Sequence, residues 1–191
     1  MIRSTVAALT LALAATAWAG VPGSVDHPAP DVVRVRSGGV TVAVGTGLAA
    51  DSPAPGWLAL GIAVSAGPGS EVRLDRGAFV LHTPDRRLVP LAGWEQFVEE
   101  GRPLRHQLAA GDAIRSALAA VPEGRRGCRL ELYASPGRRG PRDEVTVPPG
   151  TTCSGWLLFD LPEKAAPGRY VLTVNGEGLE AKLPFELPVA P

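Results

Sequence analysis

The residues of this chain able to do chemistry are two cysteines, three histidines, seventeen arginines with two lysines, and a few close carboxylate pairs. Cys128 begins the run CRLEL, where it shares an alternating face with Leu130 and Leu132. Cys153 begins CSGWLLF, where it shares a face with Leu157 and Phe159. Both thiols therefore point to the core side of their strands, either as one disulfide or as two separate buried thiols. An even cysteine count in a secreted chain favours pairing. Closing a loop of about 26 residues is worth on the order of 3 kcal/mol by loop entropy. Paired cysteines leave no thiolate nucleophile.

Other reactive constellations fail on spacing. No serine sits in a G-x-S-x-G elbow, no glycine precedes Lys164 or Lys182 in P-loop spacing, and no histidine is followed by glutamate as a zinc helix requires. His27, His82 and His106 do not pair at metal-ligand spacing, so no metal site is expected. Met1 is the single methionine, which denies the chain a thioether copper site. Glu95 with Glu99 and Asp143 with Glu144 are paired carboxylates, but 5% aromatics gives little sugar-stacking surface for a glycosidase cleft. The reading is a non-enzyme without a cofactor.

One charge feature is local. Arg125, Arg126, Arg129, Arg138, Arg139 and Arg142 face only Glu123 and Glu131, an excess of +4 across residues 121–142. A strand over 128–135 would place Arg125–Arg126 and Arg138–Arg139 in turns at its two ends, about 26 Å apart. These turns are either simply solvated, partly neutralised by Asp143 and Glu144, or they meet an anionic envelope component such as a phosphorylated glycan or a partner's acidic surface.

Positioning these groups falls to a turn-rich chain. It has 191 residues, 45% of them apolar, with 23 Gly, 19 Pro and zero formal net charge. That balance excludes a disordered polyelectrolyte and a nucleic-acid binder driven by bulk charge. Residues 1–19 read as a cleaved signal peptide: Arg3, an apolar run from Val6 to Ala17 too short to span a bilayer comfortably, and an A-x-A ending at Ala19. No later stretch reads as a transmembrane segment, and no cysteine near the cleavage point offers a lipid anchor. The expected location is periplasmic or extracellular.

Residues 20–30, GVPGSVDHPAP, suit a flexible N-terminal leader, and residues 31–191 one domain. VVRVR and VTVAV flank Ser37–Gly38–Gly39 as a hairpin with a three-residue loop, placing Val40, Val42 and Val44 on one face. In WLALGIAVS, Leu58, Leu60, Ile62 and Val64 share a face. Ala59, Gly61 and Ala63 share the other, which is tightly covered or near an edge. The period shifts to helical between Trp94 and Val121. Trp94, Phe97 and Val98, then Leu104 and Leu108, then Ile114, Leu118 and Val121 recur at three or four, with Gly111–Asp112 as a cap between two short helices. This insertion, about 94–120, is expected to close an open end or edge. Trp57, Trp94 and Trp156 read as packing residues. Counting eight to ten short strands gives a mainly all-β, antiparallel sandwich.

Two stretches carry a family likeness. In residues 148–174, Pro149–Gly150 leads into a strand with Gly155, Trp156 and Phe159 before Pro162, followed by Tyr170, Leu172 and Val174. This run resembles the closing half of the bacterial extracellular immunoglobulin-like domains of unassigned function, and residues 78–91, AFVLHTPDRRLVPL, resemble their middle hairpin. The resemblance implies an immunoglobulin-like β-sandwich and assigns no catalytic residue.

These readings lead to a non-catalytic binding or accessory module of the bacterial cell envelope, meeting a cell-envelope protein or an anionic glycan. Its contacts would come from Arg125, Arg126, Arg138 and Arg139, or from Trp94 and Phe97 of the insertion. The alternatives are an assembly component docking by strand addition at a sheet edge, and an enzyme of unrecognised type.

Overall fold

A computed structural model describes residues 23–49, 56–100, 108, 112–122, 125–132 and 142–188. The expected signal peptide lies outside them. Among the described residues are twelve strands: β1 (Ser24–Ala29), β2 (Val32–Ser37), β3 (Val40–Gly45), β4 (Trp57–Ala66), β5 (Val72–Asp75), β6 (Phe79–His82), β7 (Leu88–Pro90), β8 (Arg125–Leu130), β9 (Glu144–Val147), β10 (Thr151–Asp160), β11 (Gly168–Gly176) and β12 (Leu179–Leu187). Two helices, α1 (Trp94–Glu100) and α2 (Asp112–Ala119), interrupt them.

The strands form a six-stranded sheet, β1-β2-β3-β4-β10-β8, a four-stranded sheet, β12-β11-β6-β7, and a short β5-β9 pair. The chain is mainly β, and among the described residues the strand pairings are antiparallel except that of β8 with β10. Alternation dictates the interior: Val40, Val42 and Val44 of β3, Leu58, Leu60, Ile62 and Val64 of β4, and Leu157 and Phe159 of β10 meet Phe79, Leu81, Tyr170, Leu172 and Leu183 in one core.

Four features depart from the sequence reading. Residues 24–29 of the supposed leader are a strand, because Asp26 stands opposite Arg34 in the β1–β2 register and the pair closes as an ion pair. The β2–β3 loop has two residues rather than three. Gly38 and Gly39 both have positive φ, 57° and 81°, the requirement of a type I′ turn that matches strand twist. The strand expected over 128–135 is Arg125–Leu130, and it runs parallel to β10. Parallel pairing arises because the chain leaves the sheet for β9 before returning as β10, so no hairpin forces reversal.

The insertion also lies elsewhere than expected: both helices sit on the outer face of the six-stranded sheet, not at an end of the sandwich. Helix α2 buries Ala113 and Ala117, while Ile114 and Leu118 are half-buried, Leu118 against the cluster in which Val121 is buried as expected. The cause is the small-residue face of β3 and β4. Gly45 and Gly61 are register partners, and a Cβ on either would stand within 2.4 Å of the Ala113 backbone. Only alanines fit a helix brought that close. The covered second face expected of β4 is thus observed.

Candidate functional site

The arginine-rich stretch is organised around the free edge of the six-stranded sheet. Cys128 and Cys153 are register partners on β8 and β10 and form a disulfide, with their Cα atoms 4.5 Å apart. Cys153 is fully buried, and Cys128 is partly buried against the same core. Next to this link a hollow of about 410 Å³ is lined by Gly127, Cys128, Arg129 and Glu131 on one side and Arg142, Val145 and Thr146 on the other.

The far wall comes from β9, whose Val145 and Val147 turn inward and leave Glu144 and Thr146 exposed. The two walls are stitched where the backbone N–H of Arg142 donates to the Glu131 carbonyl at 3.0 Å. The Arg142 Nε lies 3.7 Å from the Glu131 carboxylate. Arg129 and Arg142 are exposed, so two guanidinium groups and one carboxylate meet solvent here. The hollow therefore has a net positive lining with bidentate-capable donors, the chemistry that suits carboxylate, sulfate or phosphate oxygens.

The sequence-derived candidates divide accordingly. Arg125 and Arg126 open strand β8 itself instead of lying in a turn, because the strand begins earlier than the alternation from Cys128 suggested. Arg138 and Arg139 lie outside the described residues. The chain that carries them leaves from Leu132 and returns at Arg142, so its two anchors are adjacent at the hollow. Among the described side chains, Arg129 and Arg142 are the arginines that line the hollow.

Trp94 and Phe97 are also neighbours, with ring centroids 5.9 Å apart in a tilted arrangement. Phe97 is 6% exposed and joins Trp57, Ala59, Ala92 and Leu158 in a cluster against which Trp94 packs half-buried. These aromatics attach α1 to the sheet, and Phe97 offers almost no surface to a ligand.

Three arrangements escaped the sequence reading. Arg34 donates from Nε and Nη2 to Asp26 at 2.8 and 2.5 Å, and from Nη1 to the Ala120 carbonyl at 2.7 Å, tying β1, β2 and the end of α2 together. The Arg34 hydrogen bond holds the Asp26 carboxyl below the usual carboxylate range. Arg76 donates to the carbonyls of Leu132 and Ala92, fixing the start of the 133–141 segment. A second hollow of about 360 Å³ opens between β1–β2 and β12, lined in part by His27, Thr46, Arg169, Phe185 and Glu186. No local signal in the sequence joins residues so far apart.

Among the described residues no three His, Cys, Asp or Glu side chains gather as a metal site, and no helix is long and apolar enough to cross a membrane. Comparisons with protein-family models, with curated proteins and with solved structures find no match.

Proposed function

We propose that this chain is a secreted or periplasmic, immunoglobulin-like β-sandwich that serves as a non-catalytic binding module of the bacterial cell envelope, taking an anionic glycan or an acidic protein surface at the hollow beside β8. The observation that carries the reading is the convergence of Arg129 and Arg142 on one hollow, whose walls are joined by the Arg142 N–H to Glu131 carbonyl hydrogen bond. The disulfide suits an oxidising compartment.

The immunoglobulin-like assignment draws support from Tyr170 near the start of β11, whose buried ring sends its hydroxyl back to the Ala166 carbonyl at 2.8 Å. A tyrosine turned back onto the backbone just upstream is a recurring corner of such sandwiches. Docking by strand addition finds less support at three of the four edges of the larger sheets, the fourth being β8 beside the hollow. Strand β1 carries Pro28 and a register shift, β7 is three residues long and ends at Pro90, and β12 carries Pro184, which a ladder tolerates with its nitrogen toward the free edge.

The test is a titration of mature protein with a heparin-derived oligosaccharide as polyanionic probe. The expected result is saturable binding that weakens about tenfold in an Arg129→Ala, Arg142→Ala variant and falls steeply with salt. Equal binding by the variant, or none by the wild type, overturns the assignment of this hollow.

A further inference from the structure

The hold of β8 on its sheet is uneven along its length. At its C-terminal end, Leu130 is buried and its carbonyl would stand 2.6 Å from a Cβ on Gly155, so the strand is packed there to backbone contact. Leu132, just beyond, is fully buried. Toward the N-terminal end, Gly127 is exposed and has no register partner on β10, and a Cβ on it would meet nothing within 4 Å. The β8–β10 register also shifts between Thr152 and Cys153. Parallel pairing is slightly less stable per residue than antiparallel pairing, and a break in register disrupts the ladder locally. Across residues 127–129, the side chain that turns inward is Cys128.

From this asymmetry we infer that the Cys128–Cys153 disulfide is a redox latch: its opening frees residues 125–129 about a hinge at Leu130 and dismantles one wall of the arginine-lined hollow. The inference deepens the reading above and rests on it for the ligand, but not for the latch. The two sulfurs are unequal. Cys128 lies in the wall of the hollow between exposed Gly127 and Arg129, while Cys153 is sealed in the core.

An external thiolate is therefore directed to the Cys128 sulfur. The new sulfur–sulfur bond forms there as the Cys128–Cys153 bond breaks, and Cys153 leaves as a thiolate that takes up a proton. With a dithiol, its second thiolate then attacks the mixed disulfide and expels Cys128. The dithiol is oxidised to its disulfide by two electrons, and both cysteines become thiols. Arg129 and Arg142 favour the approach of the attacking anion.

The experiment compares mature oxidised protein with protein reduced by dithiothreitol and alkylated, and with a Cys128→Ser, Cys153→Ala variant. Amide exchange is read by mass spectrometry, and the heparin-derived probe is titrated into each form. Exchange at residues 125–129 about tenfold faster in both opened forms, with β4 and the C-terminal half of β10 unchanged, is the expected result. Brief treatment with glutathione and acid quenching should yield the mixed disulfide on Cys128. Unchanged exchange in β8, equal acceleration of every strand, or an adduct on Cys153 overturns the latch. Probe binding is scored separately. Binding to the oxidised form with about tenfold loss on opening supports the gated hollow, whereas binding that survives opening of β8 overturns the gating. No binding to any form overturns the ligand assignment while the exchange data still decide the latch.

Discussion

The outer face of the six-stranded sheet and its β8 edge solve the same problem by opposite means. Under α2, attachment depends on what is missing: Gly45 and Gly61 lack a Cβ, and Ala113 settles onto the space so left. At β8, Leu130 packs closely against Gly155, but Gly127 has open space around it, and that end of the strand is fastened by a covalent link instead. Close approach of a helix to a sheet gains from many small contacts and tolerates no added volume. An edge strand with one neighbour has fewer contacts to gain, and a cross-link supplies the order that packing does not. Packing complementarity and covalent linkage are thus assigned to different parts of one sheet.

The comparison breaks most decisively at Gly61. A Cβ there would stand 2.4 Å from the Ala113 carbonyl carbon, against backbone that cannot swing aside. Gly61→Val is expected to lower stability by about 3 kcal/mol or more in urea unfolding, with α2 displaced from the sheet. Removing the cross-link as Cys128→Ser, Cys153→Ala comes next, at about 3 kcal/mol for a closed loop with a sequence separation of 25. A melting temperature lower by about 6 to 12 °C would register it. A loss below about 0.5 kcal/mol would mean that packing alone holds β8.

Smaller effects sharpen the contrast. Arg34→Met removes the half-buried link from Asp26 to the Ala120 carbonyl and is expected to cost about 1 kcal/mol, with faster amide exchange in β1. The same link sets a pH dependence. Asp26 titrates lower when folded than unfolded, so its contribution is fully present above the ordinary aspartate range and is lost as pH falls through the lowered folded value. Acid titration of an Asp26→Asn variant should lack that increment of destabilisation. Smallest of all is Gly127→Ala, expected within about 0.5 kcal/mol of wild type, since nothing surrounds the added methyl. A large loss there would contradict the openness of this end of β8.

Legibility in the sequence followed the range of the interaction. Period-two alternation gave the inward faces of β3 and β4, because each is decided within a few residues. The facing of Cys128 and Cys153 toward the core was read the same way. Helix α2 was found by its period, but its buried side was read only in part: hydrophobicity favours Ile114, Leu118 and Val121, whereas the two facing glycines bring Ala113 against the sheet and leave Ile114 half-buried. Strand β1 was missed because Pro28 and a nearby glycine read as a leader, while the Asp26–Arg34 pairing that orders it is visible only in register. The hollow was half-legible. Charge counting marked the stretch that contributes Arg129 and Arg142, but their place at one hollow depends on β8 running parallel to β10 and on β9 pairing with β5 outside that sheet.

The hydrogen bond between the Arg142 N–H and the Glu131 carbonyl has a practical meaning for anyone wishing to add to this protein. Leu132 and Arg142, the residues that flank 133–141, are held side by side, with Leu132 buried and Arg76 gripping its carbonyl. Closing a longer chain across such a gap costs only about 0.6 kcal/mol for each doubling of its length. A reporter peptide or a grafted epitope placed there would inherit two fixed anchors, making this the natural display port of the scaffold.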